Sequence, residues 1–326
     1  MAVSRSARSS GAWTWLRLSP RAYQRVTLVA LVLLSAIIVS GGAVRVTGSG
    51  LGCPDWPTCA DGRLVDVRFD ESSFHRTVEN VNRLVTGLVS VAVIVAVLGS
   101  LARTPRRRDL TWLSLGLVGG VLGQIVLGGI TVLTHLHPVA VQSHFLLSLV
   151  IVICAVTLHW RAGRDAGEGR LVVTERVRNL SRTALALLVP TIVAGTVLTG
   201  TGPHAGSARE DDPVQRFAYD PRQVAQVHGV LVELFTLALL VTLVLAWRGG
   251  APRRVLRRGS VAVAAAAGQT VLGYTQYFTG VPALLVGLHI LGATLVWIAV
   301  LRWHLGLTER RADADPAPVP VVPAPA

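Results

Sequence analysis

Eight long apolar runs divide the sequence and leave little between them: residues 26–45, 81–101, 111–133, 139–158, 184–201, 224–247, 260–278 and 281–301. A helix needs roughly 20 apolar residues to cross the hydrocarbon core of a bilayer, and most of these runs reach or approach that length. The expected fold class is therefore an all-α integral membrane protein with eight transmembrane helices. Composition agrees, since 51% of residues are hydrophobic and 15% charged. The short gaps leave no space for a soluble domain. The first run is longer than a secretory apolar core and no small-residue cleavage site follows it, so it reads as a retained helix.

The formal charge of +13 at first points to a polyanionic partner. Its distribution points elsewhere. Every basic residue is Arg, and 23 of the 31 arginines fall in 5–25, 103–108, 161–182, 248–258 and 302–311. These are alternate connections plus both termini. The other connections carry most of the acids: Asp55, Asp61, Asp66, Asp70, Glu71, Glu210, Asp211, Asp212 and Asp220. An arginine excess on alternate loops orients a membrane protein with those loops inside, which puts both termini in the cytoplasm. The charge then needs no nucleic acid to explain it. The last stretch, "ADADPAPVPVVPAPA", is Pro/Ala-rich and reads as an extended, disordered tail.

The sequence repeats itself. "GQIVLGGITVLT" at 123–134 matches "GQTVLGYTQYFT" at 268–279, and each Gln precedes a His by 20 residues, Gln124 before His144 and Gln269 before His289. Extending the register backwards pairs "VENVNRLVTGL" with "VAQVHGVLVEL" and sets Asn82 opposite His228. "GGAVRVTGSG" likewise resembles "AGTVLTGTG". These agreements predict two pseudo-symmetric four-helix bundles. Each has an even number of crossings, so they relate by an axis along the membrane normal.

Ionisable groups inside membrane helices are costly and usually face the bundle interior. A single such histidine is ordinarily one bonded to a neighbouring carbonyl. Three at duplicated positions, His144, His228 and His289, with Asn82 as the fourth member, point to ligands at one depth of the outer half. Paired imidazoles from facing helices suit the axial sites of a haem. Zinc is a poorer fit, because no Cys or carboxylate completes a tetrahedral set. His135, His137 and His204 read as solvated loop residues, His159 and His304 as interfacial ones, and Cys154 as a packing residue. The stretch "FHRTVENVNRLVTGL" (74–88) brings His75, Arg76, Glu79 and Arg83 to the mouth of the second run. Glu79 is one turn from Asn82. It reads either as a partly buried carboxylate that takes protons or as a surface partner of Arg83 at i,i+4.

The first outer loop holds "GSGLGCPDWPTCADG", with Cys53 and Cys59 on the oxidising side. A disulfide there is one reading and a pair of free thiols the other. The run "GGAVRVTGSGLGCPDWPTC", the Glu-bearing helix after it, the duplication and the histidines resemble the haem A synthase family, bacterial and mitochondrial, over about residues 26–305. The resemblance implies oxidation of the C8 methyl of haem O to a formyl group, giving haem A for terminal oxidases. It implies a haem b between His228 and His289, and a substrate-haem site with Glu79 as the catalytic residue and His144 as an axial ligand. Related synthases commonly show Glu-x-x-His on the second helix, whereas this chain has Glu79-Asn80-Val81-Asn82. Asn is a poor iron ligand, which leaves His144 as the single protein ligand. His75 lies about two turns away from position 82, too far to substitute at the same depth.

The organisation this implies is a cytoplasmic segment (1–25), an N-terminal half with the substrate site and Cys loop (26–160) and a cytoplasmic linker (161–183). A C-terminal half with the haem b site (184–304) and the tail (305–326) complete it. The cell membrane is the expected location, with haem O handed over by a haem O synthase and electrons leaving to an acceptor the sequence does not name. The competing reading is a duplicated bis-His dihaem b cytochrome that only transfers electrons. Its halves should carry equivalent His pairs, and these do not. A transporter also uses parallel repeats, but leaves the histidines and the cysteine loop without a role.

Overall fold

The computed structural model describes residues 17–53, 56–59, 62, 74–167, 169–207 and 214–310. Arg5, Arg8, the tail from Arg311 onward and the acids Asp55, Asp61, Asp66, Asp70, Glu71, Glu210, Asp211 and Asp212 lie outside them.

The described residues form eight long helices: α1 (Pro20–Val46), α2 (Phe74–Ala102), α3 (Arg108–Leu133), α4 (Pro138–Ala162), α5 (Glu175–Thr201), α6 (Pro221–Arg248), α7 (Arg253–Phe278) and α8 (Ala283–Leu305). A two-stranded antiparallel ribbon, β1 (Gly169–Leu171) with β2 (Thr308–Arg310), ties the α4–α5 connection to the chain beyond α8. At 1.5 Å per residue the helices run about 35 to 44 Å, more than the roughly 30 Å hydrocarbon core. Seven are long and apolar enough to cross a membrane, and the chain is a multi-pass membrane protein. Helix α7 falls short in apolarity. Its first turns carry four arginines, and its last turns carry Gln269, Tyr274, Gln276 and Tyr277.

Helix starts follow local chemistry. The Ser19 hydroxyl accepts from Ala22 N–H, and Asp220 from Arg222 N–H at 2.8 Å, each just ahead of a proline at the first helical position. Such caps satisfy donors that have no intrahelical partner, and a proline there loses no bond. Thr174 caps α5 at Glu175, so Arg176, Arg178 and Arg182, placed in the linker by the sequence, ride on the first turns of α5.

Helices α1, α4 and α8 contact one another at the centre. Around them α2 packs on α1 and α3, while α5 packs on α6, α8 and α4, and α7 on α6 and α8. Trp297 of α8 crosses this centre and donates its indole N–H to the Leu149 carbonyl of α4 at 3.1 Å. Large apolar side chains also point outward, Val91, Ile94 and Leu98 along α2 among them. Such a surface suits lipid, since water-soluble proteins keep apolar patches small.

The turns after α3 and α7 share one backbone form. His135 and Leu136 have φ of 50° and 58°, and Gly280 and Val281 have φ of 80° and 60°. Leu136 N–H bonds Thr131 O at 2.8 Å, and Val281 N–H bonds Gln276 O at the same distance.

Candidate functional site

The three membrane histidines sit in matched cradles. Gln124 donates to the His144 carbonyl at 3.0 Å, and Gln269 to the His289 carbonyl at 2.9 Å. The glycine four residues beyond each Gln lies under the ring. A Cβ on Gly128 would fall 3.4 Å from His144 Cε1, and one on Gly273 would fall 3.0 Å from His289 Cε1. Gly195 of α5 does the same for His228, at 3.0 Å. A side chain at Gly195 or Gly273 would crowd its ring, whereas Gly128 lies at ordinary contact distance from His144.

Tautomer and orientation follow from these contacts. His228 donates Nδ1–H to the Thr191 carbonyl at 3.0 Å, which leaves Nε2 as the nitrogen with a free lone pair. Metal-bound histidines are commonly oriented this way. In His144 and His289 the Nδ1 atom is buried with no partner. His228 and His289 lie within electrostatic reach of each other across α6 and α8. Among the described residues no three His, Cys, Asp or Glu side chains converge as a bare ion requires. Haem iron takes its equatorial nitrogens from the porphyrin and asks the protein only for axial ligands, so these residues fit a haem.

Position 82 differs. Asn82, half-buried, accepts from the Ser40 hydroxyl at 2.7 Å. Of the two glycines after Ser40, Gly41 has nothing within 4 Å of a Cβ built on it, whereas one on Gly42 would meet Ile290 Cδ1 at 2.9 Å. In the second half a ring lies against Gly195, and in the first half Asn82 is held by Ser40 instead.

Cys53 and Cys59 form a disulfide, and both residues are fully buried. Helix α2 holds the loop they close. Glu79, 6% exposed, accepts from Cys53 N–H at 2.8 Å on one oxygen and from Arg83 at 2.8 Å on the other. Arg83 also donates to the carbonyls of Pro57 at 3.1 Å and Thr58 at 3.4 Å. The Asn80 amide nitrogen points at the Cys59 sulfur from 4.0 Å. Gly52 rests on the start of α2 so closely that a Cβ would meet the His75 carbonyl oxygen at 2.6 Å. At the loop's tip Trp56 covers Gly129 of α3, where a Cβ would strike the indole at 2.9 Å.

The remaining histidines have structural partners. His75 shares a hydrogen bond with Ser49 at 3.0 Å, in the loop and away from position 82. His137 caps α4. His204, read from sequence as solvated, donates to the Val281 carbonyl at 2.9 Å, and its own carbonyl accepts from Arg45 at 3.0 Å. His159 and His304, read as interfacial, are a duplicated pair. Each shares a hydrogen bond with a hydroxyl on α1 or α5, Thr27 at 3.2 Å and Ser181 at 2.9 Å. Cys154 is a half-buried free thiol.

The profile of the COX15-CtaA family, cytochrome oxidase assembly protein, matches residues 24–301, which takes in all eight helices almost to their ends. The chain belongs to this family. Among curated relatives, it is 32% identical over 125 residues to a protein of Geobacillus thermodenitrificans named heme A synthase, covering 37% of each chain. It is 29% identical over 138 residues to one of the same name from Listeria welshimeri, covering 42% of this chain and 44% of that one. The chain thus spans about two-fifths of the length of these relatives.

Within this member of the family, sequence reasoning missed the cradle glycines, the Gln clamps, the Trp56 cover and Arg45. The repeat contained the signal for the first two, because Gln and Gly recur in it at fixed offsets from the histidines. Arg45 donates to the Thr199 and His204 carbonyls of the C-terminal half, both at 3.0 Å. From sequence it is one more arginine at the edge of an apolar run.

Proposed function

We propose that the chain is a haem A synthase of the cell membrane, oxidising the C8 methyl of haem O to a formyl group to give haem A. The observation that carries this reading is the asymmetry of a duplicated cradle. Three positions present imidazoles against glycines, and the fourth presents Asn82, bonded to Ser40, in place of an imidazole. An electron-transfer protein needs both irons closed by paired ligands. A site that admits and releases a substrate haem needs one left accessible.

His228 and His289 would hold a b-type haem, a role supported by the Thr191 bond that orients one ring and the glycines beneath both. Held there, it supplies one-electron transfer away from the substrate. His144 ligates the substrate iron, and Asn82 lines the pocket beside it. The chain forms two pseudo-symmetric four-helix bundles (26–160 and 184–304) with eight crossings, supported by the matched turns and Gln–His clamps. Helix α7 crosses despite its polar outer turns because α6 and α8 flank it. Both termini are cytoplasmic. Haem O arrives from a haem O synthase, and the electrons leave to a separate acceptor.

Glu79 is the catalytic carboxylate of this reading. Its two oxygens are engaged by Cys53 N–H and Arg83, so it takes a proton only by loosening one of them. Proton uptake and the seating of the disulfide loop are thereby linked at one side chain.

The test is co-expression with a haem O source in a host lacking haem A, followed by mass spectrometry of extracted haems. Haem A or its hydroxymethyl precursor is expected. Folded, haem-loaded protein that yields only haems B and O rejects the reading. Replacement of His228 or His289 by Ala should remove the low-spin b spectrum, and its survival in both variants rejects the axial assignment.

A further inference from the structure

At the end of the molecule opposite the disulfide loop, α4 finishes, α7 begins and the chain leaves α8. A cavity of about 170 Å³ lies among them, lined by Trp160, Arg164, Arg254, Arg258, Thr308 and Glu309 together with Gly306. Three guanidinium groups face one space, and the single carboxylate on its wall, Glu309, is paired with Arg254.

The charges are crowded. The Arg164 guanidinium stands 3.3 Å from the centre of the Trp160 ring and that of Arg258 stands 4.7 Å from it, so one cation just past α4 and one on α7 share one indole. Both distances are within cation–π range. Arg254, Arg257 and Arg302 also lie close enough to repel Arg258. The first turn of α7 adds to the positive potential. Its cap is Pro252, with no side-chain hydrogen bond, and the turn contains no acid. A helix N-terminus presents free N–H groups and the positive end of its dipole. Here that end carries Arg254 and Arg258 on one face, four residues apart.

The walls are fixed. Arg258 lies against the backbone of Gly306, where a Cβ would meet its Nη1 at 2.7 Å. Arg164 donates to the Trp160 carbonyl at 2.9 Å. The ribbon pairs Glu309 with Arg170 of β1 and so holds the carboxylate to one side. Trp303 and Leu307, both fully buried, pack this end. Asp165 follows Arg164 in sequence but is exposed and does not line the cavity.

We propose that this cavity is a binding site for a phosphate group, gripped by the forks of Arg164 and Arg258 at the start of α7. Planar guanidinium forks match phosphate oxygens two at a time. The group comes either from the head of an anionic phospholipid in the leaflet at that end or from a free phosphate species. The site joins Trp160 of α4 and the adjoining Arg164 to residues of α7 and the segment after α8, so an occupant braces the two halves of the chain at their seam. It is independent of the histidines and of any haem chemistry.

The experiment is native mass spectrometry of the full chain in detergent, titrated with phosphatidylglycerol, with diacylglycerol, and with inorganic phosphate as competitor. The wild-type chain should retain one phosphatidylglycerol well above diacylglycerol. Arg164→Gln with Arg258→Gln should weaken that retention about tenfold or more, the scale of losing charge-assisted hydrogen bonds. Arg106→Gln with Arg108→Gln, exposed arginines outside the cavity at the same end, should leave it unchanged. Glu309→Gln frees Arg254 and should tighten binding, an outcome a folding defect does not produce. Displacement by millimolar phosphate assigns the site to a free anion, and resistance to it assigns the site to a lipid head. Retention unchanged in the Arg164/Arg258 double variant, equal retention of diacylglycerol, or weaker binding in Glu309→Gln overturns the site.

Discussion

At the scale of single residues, Glu79 carries the most connections. One buried carboxylate receives the amide of Cys53 and the guanidinium of Arg83, which in turn reaches the carbonyls of Pro57 and Thr58. Both ends of the disulfide loop therefore hang on one i,i+4 pair. Glu79→Ala leaves a buried N–H and a largely buried guanidinium without their acceptor and should cost about 2–3 kcal/mol. Glu79→Gln keeps a carbonyl oxygen for Cys53 and loses only the charge, so it should cost about 1 kcal/mol. Thermal unfolding of the two variants in detergent checks the order. Turnover separates the roles. If Glu79 takes protons, both variants stall with haem still bound, and if it only seats the loop, Glu79→Gln remains active. The disulfide belongs to the same device. Closing so short a loop contributes about 2 kcal/mol in chain-entropy terms. Thiol labelling of native membranes without reductant should find Cys53 and Cys59 blocked and Cys154 the reactive thiol.

At the scale of helices, what matters is how closely one element approaches the next. Gly195 and Gly273 let α5 and α7 touch the rings of His228 and His289. Gly195→Val and Gly273→Val should each cost about 1–3 kcal/mol through overpacking and displace a ring. Haem retained per chain should fall in both. Gly268→Ala, with nothing within 4 Å of the new Cβ, should leave it unchanged. A spectrum unchanged in all three variants would mean that the rings do not hold an iron. Existence and order of the helices were legible in the sequence because apolar length is a direct reading of membrane thickness. Their ends were not. Helix α2 starts at Phe74, seven residues before its apolar run, since Glu79 and Arg83 are satisfied by the loop rather than by water. The sequence also treated α7 like its neighbours, although tyrosines and glutamines fill its last turns. The histidines were legible through duplication. Arg45, which bonds two carbonyls of the other half, was not, because a cross-molecule contact leaves no periodic trace in one strand of sequence.

At the scale of the whole molecule, the two halves agree where they are scaffold and differ where one residue decides access. The Gln clamps, the turns after α3 and α7, and the hydroxyl-bonded pair His159 and His304 are the same in both. The departure is Asn82 against His228. With His144 alone on the substrate iron, bound substrate should give a high-spin signal distinct from the b haem. Asn82→His supplies the missing imidazole. Ser40, which now donates to Asn82 at 2.7 Å, is half-buried on the facing helix and remains beside the new ring. The variant should therefore convert the high-spin species to low spin while the signal that depends on His228 and His289 stays as it was. His144→Ala in the same background should abolish only the converted species. Electron paramagnetic resonance of the loaded protein reads all three states. A high-spin signal that persists in Asn82→His would place residue 82 away from the iron, and the asymmetry would then have to reside in the cysteine loop and its Trp56 cover rather than in the ligand set.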